Sequence, residues 1–443
     1  MKVLDVVTGS APQARPTLVL VATGSAYLLA VLVLVISRTP LGSPLFFAIV
    51  AIMALAFALT LANAGRLPAA RPRLLLGAFA FALAFRIPLA LAPVGADNDM
   101  IRYLWDGRVQ RLGLNPYLVV PADPAMDVTH TPETATMPSR RARTPYPPAA
   151  QLFFRMVVSV KDSALAMKLA IVGCDLLTIV VLWRWLTVTG RNEWLALAYA
   201  WNPLVVIEAA HSGHIDAVGA MWLAASAYWL ARRRTLLSTI AFVLAVATKL
   251  LPIVLAPLYV GRIRARDAIL GAALMAALYL QFTEHATLPF GAVPSVVAHI
   301  RFNGPLFRAL AWISTPQVAA AIAVLLGLVA AVVARWKLPG THPAAWAWPM
   351  AISLASAPVV YPWYLLYIAP FLYVRETLPL LAWNFSALST YVVWNISRHG
   401  GSWIVPGWVM VLEYALPMGI ALILASRKDR DRIPGNKYHP ASH

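Results

Sequence analysis

Charge is what this sequence has least of. Of its 443 residues only 12% are Asp, Glu, Lys or Arg, while 60% are hydrophobic. Soluble domains run nearer a quarter charged and half apolar. A soluble core of this size cannot absorb the excess, so much of it must face lipid. Acids are scarcer than bases, 18 against 36, which leaves a formal charge of +18. In a soluble chain that would point to nucleic acid. Here the Lys and Arg fall in short loops between apolar blocks, the pattern of cytoplasmic loops, and no nucleic-acid partner is expected. There is one cysteine, Cys174, so no intrachain disulfide can form and the redox compartment cannot be read. No Gly-rich phosphate loop is present, so no nucleotide is expected to bind.

The apolar residues come in blocks near the length of about 20 residues that crosses a bilayer as a helix. Barrel strands alternate apolar and polar residues, and these blocks do not. Lipid cannot satisfy the backbone, so a helical bundle follows. The fold class expected is an all-α polytopic membrane protein. Candidate spans are 17–36, 44–62, 74–93, 166–186, 194–207, 215–230, 236–248, 250–260, 269–282, 318–336, 344–358, 363–374, 378–396 and 406–425, about 12 to 14 in all. The first reads as a retained span, because no small-residue cleavage site follows it.

Basic clusters give the orientation. They are Arg66, Arg71 and Arg73; Arg191; Arg232 to Arg234; Arg262, Arg264 and Arg266; Arg335 with Lys337; and the tail from Arg427. Alternate counting puts all of them, and both termini, in the cytoplasm. The count closes only if 236–260 is a tight hairpin with Lys249 at its outer tip. Pro252 favours that, since it breaks a helix. The long polar stretch from Val94 then lies outside. Its own basic residues, Arg140, Arg141 and Arg143, are no objection, because long loops escape the rule.

Ionisable groups in or beside spans are costly and therefore functional candidates. Those here are Arg86, Asp175, Glu208, His211, His214, Asp216 and Lys249, and the outer loops add Asp97, Asp99, Glu284, His299, Arg301, Arg398 and His399. All except Asp175 are expected toward the outer half. A mixed cluster at one face suits chemistry on a membrane-bound phosphate: cations hold the anion and a carboxylate activates a hydroxyl. The densest stretch is Gly95 to Tyr117. From Asp99 to Leu112 its apolar residues recur with helical spacing, as in an amphipathic helix lying in the interface. Asp97 and Asn98 sit where N-caps belong. Asp99 has two bland alternatives, pairing with Arg102 at i+3 and capping. Asp106 is expected to hold the helix through Arg102, and Asp175 to be a structural hydrogen-bond partner. Lys249 can snorkel to the interface instead of binding phosphate.

Several segments together resemble a known family. Asp99-Met-Ile-Arg-Tyr103, Leu104-Trp-Asp-Gly-Arg108 and Gly113-Leu-Asn-Pro-Tyr117 resemble the first outer loop of GT-C glycosyltransferases. The nearest likeness is to glycosyltransferase family eighty-seven, which includes bacterial polyprenyl-phosphate-mannose-dependent mannosyltransferases. Tyr146-Pro-Pro-Ala-Ala-Gln151 resembles its YPP-x-x-Q segment and His211-Ser-Gly-His-Ile-Asp216 its GHxD segment. Lys249-Leu-Leu-Pro252 resembles its K-x-x-P hairpin, and Tyr361-Pro-Trp-Tyr364 a late P-W-Y motif. Together they run in matching order from about Arg86 to Tyr373.

The resemblance implies inverting transfer from a polyprenyl-phosphate hexose, mannose by the family's habit, to a lipid-linked or cell-envelope acceptor at the outer membrane face. The general base would be Asp99, with Asp97 the alternative, since relatives often carry two adjacent acids where this chain has Asn98. Lys249, His214 and Arg301 would bind the donor phosphate. Arg102, Tyr103, Tyr117, Tyr146, Gln151, His211, Asp216, Trp363 and Tyr364 would line the substrate site, with interfacial belt the bland alternative for Trp363 and Tyr364. No cofactor is required. A divalent cation is compatible, but a His pair beside an acid is more often a hydrogen-bonded network than a metal site. Membrane lipids are the remaining partners. The expected division is N-terminal spans over 1–93, an extracytoplasmic catalytic loop over 94–165, a bundle with the substrate groove over 166–425 and a cytoplasmic tail over 426–443. The competing readings are an ion-coupled transporter and a lipid flippase. Transporters keep their ionisable groups near the midplane and often show repeated halves, neither of which is evident.

Overall fold

A computed structural model of the protein describes residues 14–64, 72–94, 99–137, 139–284 and 287–430. It is helical, with no strand among those residues and only two isolated bridges, Glu284 with Thr287 and Phe302 with Val359. Asp97, Arg66 and Arg71 lie outside the described residues.

Three apolar helices open the chain: α1 (Ala14–Ile36), α2 (Pro44–Ala64) and α3 (Pro72–Leu91). Proline stands at the first position of the second and third, where its missing N–H costs nothing. The outer segment then carries α4 (Asp99–Arg111) and α5 (Pro148–Val160) before α6 (Ala164–Val188) re-enters the bundle. Among the described residues six helices are long and apolar enough to cross a bilayer. They are Pro16–Ile36, Pro44–Ala64, Pro72–Leu91, Ala164–Val188, Pro316–Lys337 and Gly407–Ser426.

The other apolar blocks fold as shorter or broken pieces. The 194–207 block is a 3-10 turn, then Leu197–Ala200, then Pro203–Val206. Asn202 caps the last piece by accepting from the Leu204 N–H at 3.0 Å, and Pro203 cannot continue the preceding helix. A π-turn, Ile207–Ser212, follows directly. Pieces of 3-10 helix likewise interrupt 363–374 and 378–396. The expected hairpin at 236–260 is present: helix Thr235–Thr248, Lys249 in extended backbone, then a 3-10 run Leu251–Tyr259. The returning Tyr259 hydroxyl meets Ser238, near the start of the outgoing arm, at 3.5 Å.

A buried ion pair ties α3 to α6. The Arg86 guanidinium donates to both carboxylate oxygens of Asp175 and, at 2.9 Å each, to the carbonyls of Ala82 and Ala200. Tyr199 donates to the same carboxylate at 2.8 Å. Both partners are fully buried, and every polar atom needs this compensation, since an unpaired charge there costs several kcal/mol. Asp175 is thus the structural partner expected.

α4 is covered on more than its apolar face. Trp105 and Val109 pack on Met137 in a small core of the outer loop. Tyr103 and Leu104 face the main core. Arg102 and Asp106 are buried as well and pair at 2.6 Å. The loop segments 112–137 and 139–146 lie over the polar face that the periodicity alone would leave in water.

Candidate active site

Asp99 begins α4, with its side chain half-buried. One turn on, Tyr103 is fully buried between Phe154, stacked at 4.5 Å, and Tyr146, edge-on at 5.1 Å. Its hydroxyl accepts from the Ile215 N–H at 3.4 Å. Burial pushes that hydroxyl well above its usual range, and the carboxylates of Asp99 and Asp216 push it further. The same tyrosine therefore feels both acids, one from the outer loop and one from the bundle.

Asp216 opens the helix Asp216–Ala231 and is buried. It accepts from the Lys249 ammonium at 2.6 Å. That ammonium also lies over the Tyr364 ring, 3.6 Å from its centre. Lys249 is the more open partner, its side chain 22% exposed against 1% for Asp216. A cation is thus held at the hairpin tip with one flank toward open space.

The turn between the broken helix and Asp216 supplies two histidines. Gly213 adopts φ 72° there, a left-handed conformation that favours glycine, and so reverses the chain between them. Just after it, His214 Nδ1 meets Glu208 at 2.9 Å and its ring stacks on Trp363 at 4.1 Å. Trp363 stacks in turn on Tyr361 at 4.3 Å, and Tyr361 on Phe302 at 4.3 Å. Both faces of Trp363 are covered, so it can offer a sugar only its edge. His211 is nine-tenths buried, and its Nδ1 has no hydrogen-bond partner among the described residues. Burial, helped by the charge of Lys168, pushes this ring down to about 4. Among the described residues no three His, Cys, Asp or Glu side chains converge as metal ligands. Asp216 is spent on Lys249 and Glu208 on His214.

The other expected residues fall into two groups. Gln151, Arg102 and Tyr117 form the frame of the outer loop. Asp106 accepts from Arg102, from Gln151 at 2.8 Å and from Thr144 at 2.5 Å, as the pairing expected of Asp106 requires. Tyr117 donates to the Tyr146 carbonyl at 2.7 Å. Arg301 stands apart: its guanidinium caps its own segment through the carbonyls of Val297, Ala298 and Ile300 and lies over Phe307.

Two contributors escaped the sequence reading. Tyr391 donates to Glu208 at 2.7 Å, and nothing in an apolar segment marks that tyrosine out. Lys168, 1% exposed, donates to the carbonyls of Leu89 and Ala92 at 2.7 and 2.8 Å. It pins the exit of α3 just before the loop that leads to Asp99. The rule that singled out Asp175 on the same helix would have found it.

A membrane bundle that brings a loop carboxylate, an ammonium and a histidine to one end has the parts of a GT-C type integral-membrane glycosyltransferase. The chain belongs to the MptA/B family: the family model for alpha-(1->6)-mannopyranosyltransferase, N-terminal domain, matches residues 11–266. That match spans Asp99, the π-turn, Asp216 and Lys249. No curated protein and no solved structure matches the chain.

Proposed function

We infer that this mannosyltransferase-family protein transfers a hexose, mannose by its family, from a polyprenyl phosphate to a lipid-linked or cell-envelope acceptor at the outer membrane face, with inversion. The observation that carries the reading is that Tyr103, one turn on from Asp99, accepts from the Ile215 N–H at 3.4 Å, beside Asp216, which holds Lys249 at 2.6 Å. That juxtaposition supports reading Asp99 as the base and Lys249 as the phosphate cation for one substrate. Asp99 takes the proton of the acceptor hydroxyl. The oxygen bonds to the anomeric carbon from the face opposite the phosphate. The anomeric C–O bond breaks and its electron pair leaves with polyprenyl phosphate. Lys249, with His214, offsets the charge that grows on the leaving phosphate. A monophosphate can be held by such cations alone, so no nucleotide and no metal is needed. Asp97 remains the alternative base.

Membranes supplied with radiolabelled polyprenyl-phosphate mannose test the scheme, with and without an ionophore. Transfer should survive the ionophore, which separates it from ion-coupled transport. Asp99→Asn, correctly folded, should lose about 100-fold or more in rate. Wild-type rates in that variant would move the base to another acid.

A further inference from the structure

α5 is apolar on two sides, and the outer loop uses only one of them. Ala150, Phe154, Val157 and Val158 are buried, with Phe154 stacked on Tyr103 of α4 and Val158 beside Gly107 of the same helix. The opposite stripe is Ala149, Leu152, Phe153, Met156 and Val160, spaced three or four residues apart as one helix face requires. At its start this stripe packs on the bundle, where Ala149 and Leu152 join Leu244, Leu274 and Met275. Further along it leaves the protein: Met156 is 58% exposed and Val160 85%.

An open apolar stripe is normally covered by a partner or by lipid, and the place of α5 in the chain selects lipid. Lys161, Asp162 and Ser163 alone separate it from α6, which is long and apolar enough to cross a bilayer. The open end of the stripe therefore lies at the depth where α6 enters the membrane. The charges around it fit headgroups. Arg155 and Lys161 are exposed beside the stripe. Arg111, exposed at the end of α4, donates to the Val158 carbonyl at 3.1 Å. The acid in this stretch, Asp162, is taken by Arg108, which donates to its two oxygens at 2.8 and 2.9 Å. Long basic side chains at such a border lay their stems along the apolar layer and keep their heads among the phosphates. Spacing alone makes α4 the interfacial helix, but Arg102 and Asp106 on its polar side are buried beneath the loop.

We propose that α5 is the membrane-seated helix of the outer loop: its open stripe lies among the acyl chains of the leaflet on the side of the candidate site, and Arg111, Arg155 and Lys161 bind the phosphates of anionic phospholipids there. The same helix presents Phe154 to Tyr103 and Gln151 to Asp106, so the leaflet sets the height at which α4 is held. None of this depends on which sugar is transferred, or on transfer at all.

The test uses the full chain in a Cys174→Ala background, with a bimane fluorophore on Met156→Cys, reconstituted in phosphatidylcholine nanodiscs. A wild-type Tm checks folding, and Val160→Cys supplies a second position should the first variant fail to fold. Lipids carrying a nitroxide near the headgroup should quench the fluorophore strongly and aqueous iodide weakly. Strong quenching by iodide with none by lipid puts the stripe in water and overturns the seat. Spin-labelled phosphatidylglycerol should quench at lower amounts than spin-labelled phosphatidylcholine, by roughly fivefold in apparent affinity for each base engaged. Salt should shrink that difference. Equal quenching by the two lipids overturns the headgroup contact. A preference that survives Arg111→Gln, Arg155→Gln and Lys161→Gln combined overturns its assignment to these three bases.

Discussion

Lys249 shows how one side chain acquires a direction. An ammonium on a four-carbon stem is otherwise a mobile point charge. Here Asp216 holds it at 2.6 Å and the Tyr364 ring faces it at 3.6 Å, while 22% of the side chain stays exposed. The proposed division of labour is that Lys249 touches phosphate and Asp216 aims it. Lys249→Met should then lower kcat by roughly 100- to 1,000-fold, the scale for losing one charged donor at a transition state. Asp216→Asn leaves the cation in place but loosens it, and should cost about 10- to 100-fold, the range for groups that orient a ligand. Steady-state transfer by both variants checks the order. An Asp216→Asn loss larger than the Lys249→Met loss would make Asp216 itself a contact of the substrate. At this scale the sequence was informative because ionisable residues stand out in apolar surroundings. His214, Asp216 and Lys249 were singled out that way, and so were Arg86 and Asp175, while Asp99 was singled out by its place in the outer loop. Their partners were not. Tyr391 looks like any aromatic in a span, and the buried frame of Arg102, Gln151 and Thr144 around Asp106 depends on which loop folds over α4, which spacing does not record. Arg301 was grouped with the phosphate cations on charge alone, and its guanidinium turns out to cap its own segment.

α4 and α5 act as one element, because the positions of Asp99 and Tyr103 depend on how closely α4 can seat. The seat is at Gly107. A Cβ there would come within 2.7 Å of the Phe154 carbonyl oxygen and 2.8 Å of a Val158 methyl. Backbone on the far side cannot step aside cheaply, so Gly107→Ala should cost about 1 to 3 kcal/mol, the usual range for overpacking a filled core. A thermal shift of the purified protein measures it. The rate should fall with it, since α4 carries the candidate base. A variant with wild-type melting and wild-type rate would mean that α4 is free to move outward. α4 was legible as periodicity, α5 was not singled out within the long polar stretch, and the hairpin was legible through Pro252 and the need to close the span count. The breaks in 194–207 were harder to see. A continuous helix and a chain of short capped pieces share the same apolar composition. Asn202-Pro203 was the available signal, and it was outweighed by block length.

The whole molecule has two chemically distinct ends. At one, Arg262 donates to the carbonyls of Arg335 and Leu338, and Arg335 donates to that of Val260; burial lowers the His342 ring there, with Glu376 opposing that shift and Arg191 adding to it. These are loops that the charge rule puts in the cytoplasm. At the other end, the turn between α1 and α2 meets the end of 378–398: Arg398 donates to the Leu41 carbonyl, and Gly42 lies against the backbone of Tyr391. Tyr391 reaches Glu208, so that turn shares an end with the candidate site. If the basic end is cytoplasmic, the site opens outward, where polyprenyl-linked sugars are used without nucleotides. Cys174, the single cysteine, makes the arrangement simple to check. In a Cys174→Ala background, cysteine replaces Ser402, exposed beside Arg398, or Arg233, exposed in the basic turn after Ala231. A membrane-impermeant maleimide applied to intact cells should label Ser402→Cys and leave Arg233→Cys unlabelled until the membrane is opened. The reverse pattern would put the site in the cytoplasm, and a lipid-phosphate donor facing outward would no longer fit. Labelling of both would deny that the basic loops and the acid–base cluster lie on opposite sides, and with it the orientation on which the donor assignment depends.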